Sequence, residues 1–526
     1  MKYIKSLFVL LIFSLIFVSC VQQEPPEDTK PDTDTKPPEQ KGPVTGGEVT
    51  IGIEINNLLI DPLGFNKPKS PIYDITPILY RGLLQYDQQL KLTPDLAAEF
   101  NIDHEERVVN IKLKENLNFA DGTPLTTDDV KFTLEWYSQR NYNGKWKKYT
   151  FNIEGTDVYR TGTDNQVTGI IASKEDNSIT IKYNNLDYLD LQLLTAPVLS
   201  KKQVADKTVQ QIREDAKSGE LLATGPFTKN KISQNEWTLN RNDQYEEKVY
   251  LEKVIFSEFT ENNEYDIVFA LPQLLGANNN DKNVVTLEGQ GYQYLGMNLN
   301  LAELKDANIR RALASTLNYN KIIQDYFAGY ATKPLSVIHP KSWMYQAVII
   351  EENVEEAKNI LKGKNLSFEL AFADTETNRN IAGELSGQLE ELGLTINLKP
   401  VSVDKYISSL FYRGDYDLFL ASWPYELDPV FENEKWLAKK DVLSGGFNVS
   451  HVNDPTSDNM LLSGRDKLIN GERKEIYEQW QEYFMKQHYI IPLLSPQTIL
   501  LVNNNLNLEI KNSLRPYASI EKWWLK

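Results

Sequence analysis

Few residue groups in this 526-residue chain have the types and spacing that chemistry requires. Cys20 is the only cysteine, so no disulfide and no cysteine-based metal or redox pair can form within the chain. His104, His339, His451 and His488 are scattered, and the sequence holds no His-Glu-x-x-His, no Gly-x-Ser-x-Gly and no glycine-rich phosphate loop. The four histidines read as surface or capping residues, with His488 at a predicted helix C-terminus where its charge would suit the dipole. Asp128 and Asp129 are adjacent on a predicted helix, where neighbours point about 100° apart. They cap that helix rather than form a carboxylate dyad. No catalytic group, metal or cofactor is expected.

The stretch with most functional character is Tyr416 to Pro429. Its first half reads as an apolar strand running into Trp423, and its second half turns aromatic, acidic and proline-punctuated through Tyr425, Glu426 and Asp428. Pro424 has no N–H to give a ladder at its own position.

Regular elements must hold that stretch in place, and the sequence marks many of them. Val109 to Leu113 alternates apolar and polar residues as a half-buried strand, Asp121-Gly122 turns the chain, and Pro124 stops the strand. A capped helix then starts at Thr126-Thr127-Asp128-Asp129, with Val130, Leu134 and Tyr137 on one face. Ile51, Ile53 and Ile55 mark a first strand, and a loop from Leu63 to Pro71 leads into a predicted helix over Ile75 to Leu84. Ile179, Ile181 and Tyr183 alternate as another strand. Leu385, Leu389 and Leu392 form a helical stripe ended by Gly393, with a strand from Leu394 to Leu398 behind it. Ile476, Trp480 and Phe484 form a core stripe, and Ile490 to Leu494 and Ile499 to Val502 read as buried strands. Alternation of helices and strands without a repeat predicts a multidomain α/β protein.

Three runs occur in an order that resembles the large substrate-binding proteins of bacterial ABC importers for oligopeptides and dipeptides: Tyr80-Arg81-Gly82-Leu83-Leu84, Pro94-Asp95-Leu96-Ala97, and Phe119 to Val130. Thr224-Gly225-Pro226-Phe227, Leu239 to Asn242, Tyr294 to Asn298 and Ile309 to Ala314 extend the likeness. The resemblance implies a two-lobed α/β fold like the periplasmic binding proteins, in the type II, large three-domain variant with a hinge-closed cleft. Lobe I would comprise residues 47–79, 194–290 and 498–526, a satellite α/β domain residues 80–193, and lobe II residues 291–497.

In that family an acid three residues after the strand-ending Trp holds the ammonium of a bound peptide. Here the position is Glu426, with Asp428 in reserve and Trp423 and Tyr425 beside it. A carboxylate in a closing, low-dielectric cleft suits an α-amino group. The resemblance also brings Lys69 and Ser70, in the loop beside the cleft, and Asn298, at a strand end, into the expected site. The expected ligand is a short peptide. With 27 Tyr and 9 Trp, sugar stacking makes an oligosaccharide the alternative within the family, and a secreted hydrolase is the alternative of another class.

Met1 to Cys20 reads as an export signal, with Lys2 and Lys5 ahead of an apolar run from Leu7 to Val18. Twelve residues at about 1.5 Å each cover roughly 18 Å of a membrane core about 30 Å thick, which is too short to span. Phe17-Val18-Ser19-Cys20 resembles a lipobox, which implies cleavage after residue 19 and a lipid on Cys20. Residues 20–46 are rich in Pro, Glu, Asp and Lys and read as a disordered tether. The formal charge of −17 argues against a nucleic-acid partner, while 41% hydrophobic content is ample for a globular chain. The expected partners are the peptide or sugar ligand, the ABC permease subunits and, through the lipid, the membrane. The protein is expected to be a monomer.

Overall fold

The computed structural model describes residues 42–270, 282–351, 353–412 and 416–526. Cys20, the predicted signal segment and most of the predicted tether lie outside the described residues.

The first strand, Glu48–Ile53, buries Val49, Ile51 and Ile53 completely or nearly so, as their alternation predicts. It lies inside a seven-stranded sheet in the order Lys282–Leu287, Thr498–Asn503, Ile267–Ala270, Glu48–Ile53, Lys253–Glu258, Glu236–Arg241, Phe227–Ile232. Glu48–Ile53 runs parallel to both neighbours, and the outer pairs are antiparallel. A second sheet of six strands has the order Ala331–Thr332, Ile490–Pro496, Gly291–Met297, Leu418–Pro424, Ser367–Ala373, Thr395–Val401. A four-stranded antiparallel sheet, Ala97–Asp103, Val108–Leu113, Ser178–Lys182 and Ile170–Ser173, completes the layers.

Two large hydrophobic cores follow from these sheets. One joins the seven-stranded and four-stranded sheets, so that Ile51, Phe256, Ile111 and Ile181 belong to a single cluster. The other lies on the six-stranded sheet and takes in Leu418, Leu385 and Leu389 from the predicted stripe, and Trp480 and Phe484 from the helix Asn470–Gln487. The chain is thus two-lobed and mixed α/β. Among the described residues no helix is long and apolar enough to cross a membrane.

The chain passes from one large sheet to the other along two neighbouring routes. Lys282–Leu287 continues into Gly291–Met297 through residues 288–290, and Ile490–Pro496 continues into Thr498–Asn503 through Gln497 alone. The two routes run side by side, because these strands pair with each other in both sheets. Close approach at the crossing calls for glycine: a Cβ on Gly289 would meet Ser495 Oγ at 2.2 Å and Pro496 O at 2.4 Å. Ser495 Oγ donates to Gly291 O at 2.7 Å and ties the routes together.

The predicted helix over Ile75 to Leu84 is shorter than its pattern. Only Thr76–Leu79 is helical, and Leu84–Tyr86 is a strand paired with Leu92–Pro94. Two tertiary constraints straighten the chain at Tyr80. The Arg81 guanidinium reaches Asp95 and Glu246, each at 2.7 Å, and a Cβ on Gly82 would sit 2.7 Å from the Thr195 carbonyl carbon. The capping box at Thr126 and Asp129 is as the sequence predicts.

The histidines depart from the surface reading, since His339, His451 and His488 are all buried. His488 does end the helix Asn470–Gln487, in the left-handed region at φ 51°. Burial, with Arg310, Arg311 and Lys333 nearby, lowers its pKa to about 4, so at neutral pH it carries no charge for the dipole.

Gly289→Ala should lower stability by about 1–3 kcal/mol, because backbone and Ser495 both crowd the added methyl. Gly383→Ala, on a helix and in open space, should raise stability by about 0.5–1 kcal/mol. Urea denaturation of the two variants beside the parent protein measures both effects.

Candidate functional site

A cleft of about 760 Å³ opens where the two large sheets meet at the crossing routes. Its walls are built from strand ends, the segments behind them and neighbouring helices. The first sheet contributes Gly52 to Glu54 at the end of the first strand, Thr498 and Ile499, and Phe269; Lys69, Ser70, the 3-10 turn Pro71–Tyr73 and Phe259 complete that wall. The second sheet contributes Gly291 to Gln293 and Ser422 to Pro424, with Phe327, Thr377 and Asn378 from neighbouring helices. Gln290 and Gln497, the linking residues, form the floor.

Gln290 holds several parts at once. Its side-chain oxygen accepts from Ser70 Oγ, its carbonyl accepts from the Tyr425 N–H at 2.9 Å, and its amide donates to Ser513 O at 3.5 Å. On the second wall Gln293 Nε2 donates to Asn378 Oδ1 at 2.9 Å, and Asn378 Nδ2 donates to Ala373 O at 3.0 Å. Among the described residues, Glu54 and Lys69 are the only charged side chains lining the cleft, and both lie on the first wall.

The expected site residues divide into three groups. Lys69, Ser70 and Trp423 line the cleft. Tyr425 lies buried behind it, packed against Tyr292 and edge-on to His339, each at 5.2 Å between centroids. Asn298, Asp428 and Glu426 do not line it. Asn298 caps the far end of the strand whose first residues line the cleft, roughly 17–20 Å away at about 3.3 Å per residue. There its side-chain oxygen accepts from the Asn300 N–H.

Asp428 has no exposed surface and cannot serve as the reserve carboxylate for a ligand amine. It caps the turn Pro429–Glu432 by accepting from the Val430 N–H at 2.9 Å, and it pairs with the equally buried Arg473 at 2.6 Å. Arg473 in turn lies 3.2 Å from the centroid of the Tyr188 ring. Asp428 therefore joins the second lobe to the layer bearing Tyr188.

Glu426 is also engaged. Its carboxylate lies 3.2 Å from Lys435 Nζ, which donates further to Glu432 Oε1 and to Pro424 O, each at 3.0 Å. Lys435 was not foreseen, although Glu432-x-x-Lys435 on one helical turn after Pro429 is a readable ion-pair spacing. Gln290, Gln293, Asn378 and Glu54 were missed too. Of these only Gln290 carries a local signal, a glutamine between two glycines at a strand junction.

Residues 91–441 match the family model described as the middle part of bacterial extracellular solute-binding proteins, family 5. The chain belongs to that family. A sequence relative of this family 5 protein, the oligopeptide-binding protein AppA of Bacillus subtilis, is 22% identical over 99% of this chain and 98% of AppA. The solved AppA structure, in complex with a nonapeptide, superposes with a TM-score of 0.64 at 20% identity, covering 92% of this chain and 100% of AppA. NikZ from Campylobacter jejuni, in complex with Ni(L-His), gives a TM-score of 0.68 at 19% identity, covering 91% of this chain and 99% of NikZ. The fold is therefore that of the two-lobed type II binding proteins.

Two measurements follow. Asp428→Asn leaves a buried guanidinium unpaired and should cost about 3–5 kcal/mol in urea denaturation, where a ligand-contacting Asp428 would instead lose binding at unchanged stability. The second concerns His339 and His488, whose pKa values are lowered to about 4, mainly by burial. The unfolded chain takes up these protons near pH 6.5 and the folded one only near 4, so stability is lost as pH falls through that window, by about 3 kcal/mol at most per histidine. His488→Asn, which tolerates the left-handed backbone, should lower proton uptake on unfolding at pH 5 by about one.

Proposed function

We propose that this family 5 protein is the substrate-binding component of an ABC importer and takes short peptides in the cleft between its lobes. The observation that carries this reading is an open strand edge. Ser367–Ala373 pairs with Leu418–Pro424 only at Leu418 and Phe419, so from Ala421 to Trp423 that side of the strand has no strand beside it among the described residues. Ser422 and Trp423 both line the cleft. An extended peptide could add there as a further strand, its backbone satisfied by the edge and its side chains sorted by neighbouring walls. Pro424 ends the donor run, which keeps the added ladder short.

The lobes correspond to the two large sheets, with the satellite domain around the four-stranded sheet, and the cleft closes by rotation about residues 288–290 and Gln497. Lys69, Ser70 and Trp423 contact the ligand. The protein is exported, lipidated at Cys20 and held on the extracytoplasmic face by the tether. As a monomer it hands the closed, loaded form to the permease and makes or breaks no bond. AppA, which shares nearly the whole length of this chain, is named for oligopeptides and was solved with one, which supports the peptide reading.

Native mass spectrometry of the purified protein with peptide and glycan mixtures tests it. Peptide adducts are expected, and Trp423→Ala should weaken them about tenfold or more. Glycan adducts without peptide adducts would remove the peptide reading, and turnover of either mixture would point to a hydrolase.

A further inference from the structure

The open strand edge offers a ligand less backbone than its length suggests. In an antiparallel pair, successive residues turn their N–H and C=O groups alternately toward and away from the partner strand. Tyr425 donates its N–H to Gln290 O at 2.9 Å, in register with the pairs of Trp423 with Tyr292 and Ala421 with Tyr294. These residues therefore spend their backbone groups on Gly291–Met297. Leu420, Ser422 and Pro424 face the other way, toward the open side.

Two of those three are already engaged. The parallel rung of Phe419 with Ala371 uses the Leu420 N–H, and the Leu420 carbonyl accepts from Tyr406 Oη at 2.5 Å. Tyr406 is buried on the helix Val403–Tyr412, and its ring closes the edge at that point. Pro424 has no N–H, and its carbonyl accepts from Lys435 Nζ at 3.0 Å. The Lys435 side chain is only 5% exposed, so that carbonyl points into the protein. Ser422 remains: it is exposed in the cleft, and among the described residues its N–H and carbonyl have no protein partner. Neighbouring side chains extend the grip little. Gln293 Nε2 is given to Asn378, Asn378 Nδ2 to Ala373 O, and Gln290 is bonded through both its side-chain oxygen and its amide. Phe259, Phe269 and Phe327 present only apolar faces.

We propose that Ser422 is the single backbone anchor on the second lobe, and that the cleft therefore selects peptides of about two to four residues, gripped at one residue and otherwise by their side chains. This rests on the peptide reading given above. Each further residue drawn in brings an N–H and a C=O that leave water without gaining a partner. The cleft volume of about 760 Å³ is also that of a site for one small ligand. Tyr406, Pro424 and Lys435 set the length preference without touching the ligand's ends, by withholding the strand groups on either side of Ser422.

The test uses the full-length protein and an equimolar library of two- to nine-residue peptides, with bound species read by native mass spectrometry. Members of two to four residues should be enriched at least threefold over those of six to nine. Equal or greater capture of the longer class overturns the proposal while leaving the peptide reading intact, whereas glycan adducts with no peptide of any length bound overturn the reading beneath it. Captured tripeptides are then remade with an N-methyl group at each peptide bond in turn. One position should lose at least tenfold and the other less than threefold; tenfold losses at both would reveal a continuous ladder and overturn the single anchor. Pro424→Ala returns an N–H to the open side and keeps the carbonyl that Lys435 holds. It should raise capture of the six- to nine-residue class at least threefold relative to the shorter one, and an unchanged ratio in a variant with parental urea stability overturns the proposal.

Discussion

The structure depends on two strands crossing side by side between its large sheets. Each continues from one sheet into the other, and each pairs with the other on both sides of the crossing. A change in the angle between the lobes must be absorbed by residues 288–290 on one route and by Gln497 on the other, since everything on either side is tied into a ladder. Gly289 allows the routes to approach closely, and the Ser495–Gly291 hydrogen bond keeps them together. The cleft exists because the walls diverge from this line, and its floor residue, Gln290, belongs to the connection itself.

Buried charge fixes the outer layers against this frame. Arg81 reaches Asp95 and Glu246, Arg473 reaches Asp428 and Tyr188, and Lys435 reaches Glu432 and Glu426. Replacing such pairs with hydrophobic residues is often neutral for stability, but breaking one leaves a costly unpaired charge. Their effect is to specify which segments meet. Arg81 holds the turn after the first short helix to the strand edge, and Arg473 holds the second lobe to the layer carrying Tyr188. Several residues that look chemical in the sequence are fully occupied in this way.

Local patterns were legible where local physics decides them. The period-two run Val109 to Leu113 and the continuous apolar run Ile499 to Val502 are strands, the Thr126 capping box starts its helix, and the Leu385 and Leu389 stripe is core. Ile75 to Leu84 misled because its apolar spacing suits a helix, while Gly82 packing and the Arg81 pairs lie in contacts with residues up to 165 positions away. Trp423, Lys69 and Ser70, which line the cleft, come from the resemblance, and Asp428 reads as a reserve carboxylate for the ligand because its partner Arg473 is 45 residues distant. Glu54, Gln293 and Asn378 come from three separate elements and carry no motif. They become a site only when the sheets bring them to one wall or the other.

Sheet order also sets when the molecule can be completed. Among the described residues Lys282–Leu287 has a single strand partner, Thr498–Asn503, which comes almost at the end of the chain and lies between it and the rest of the first sheet. The second sheet, by contrast, draws its strands from the continuous stretch between residues 291 and 496. A chain emerging from its N-terminus can therefore close the second sheet before the first. Until residue 503 is available, the first sheet has an unfinished edge at Ile267–Ala270, and the lobe built earliest is the last to become whole.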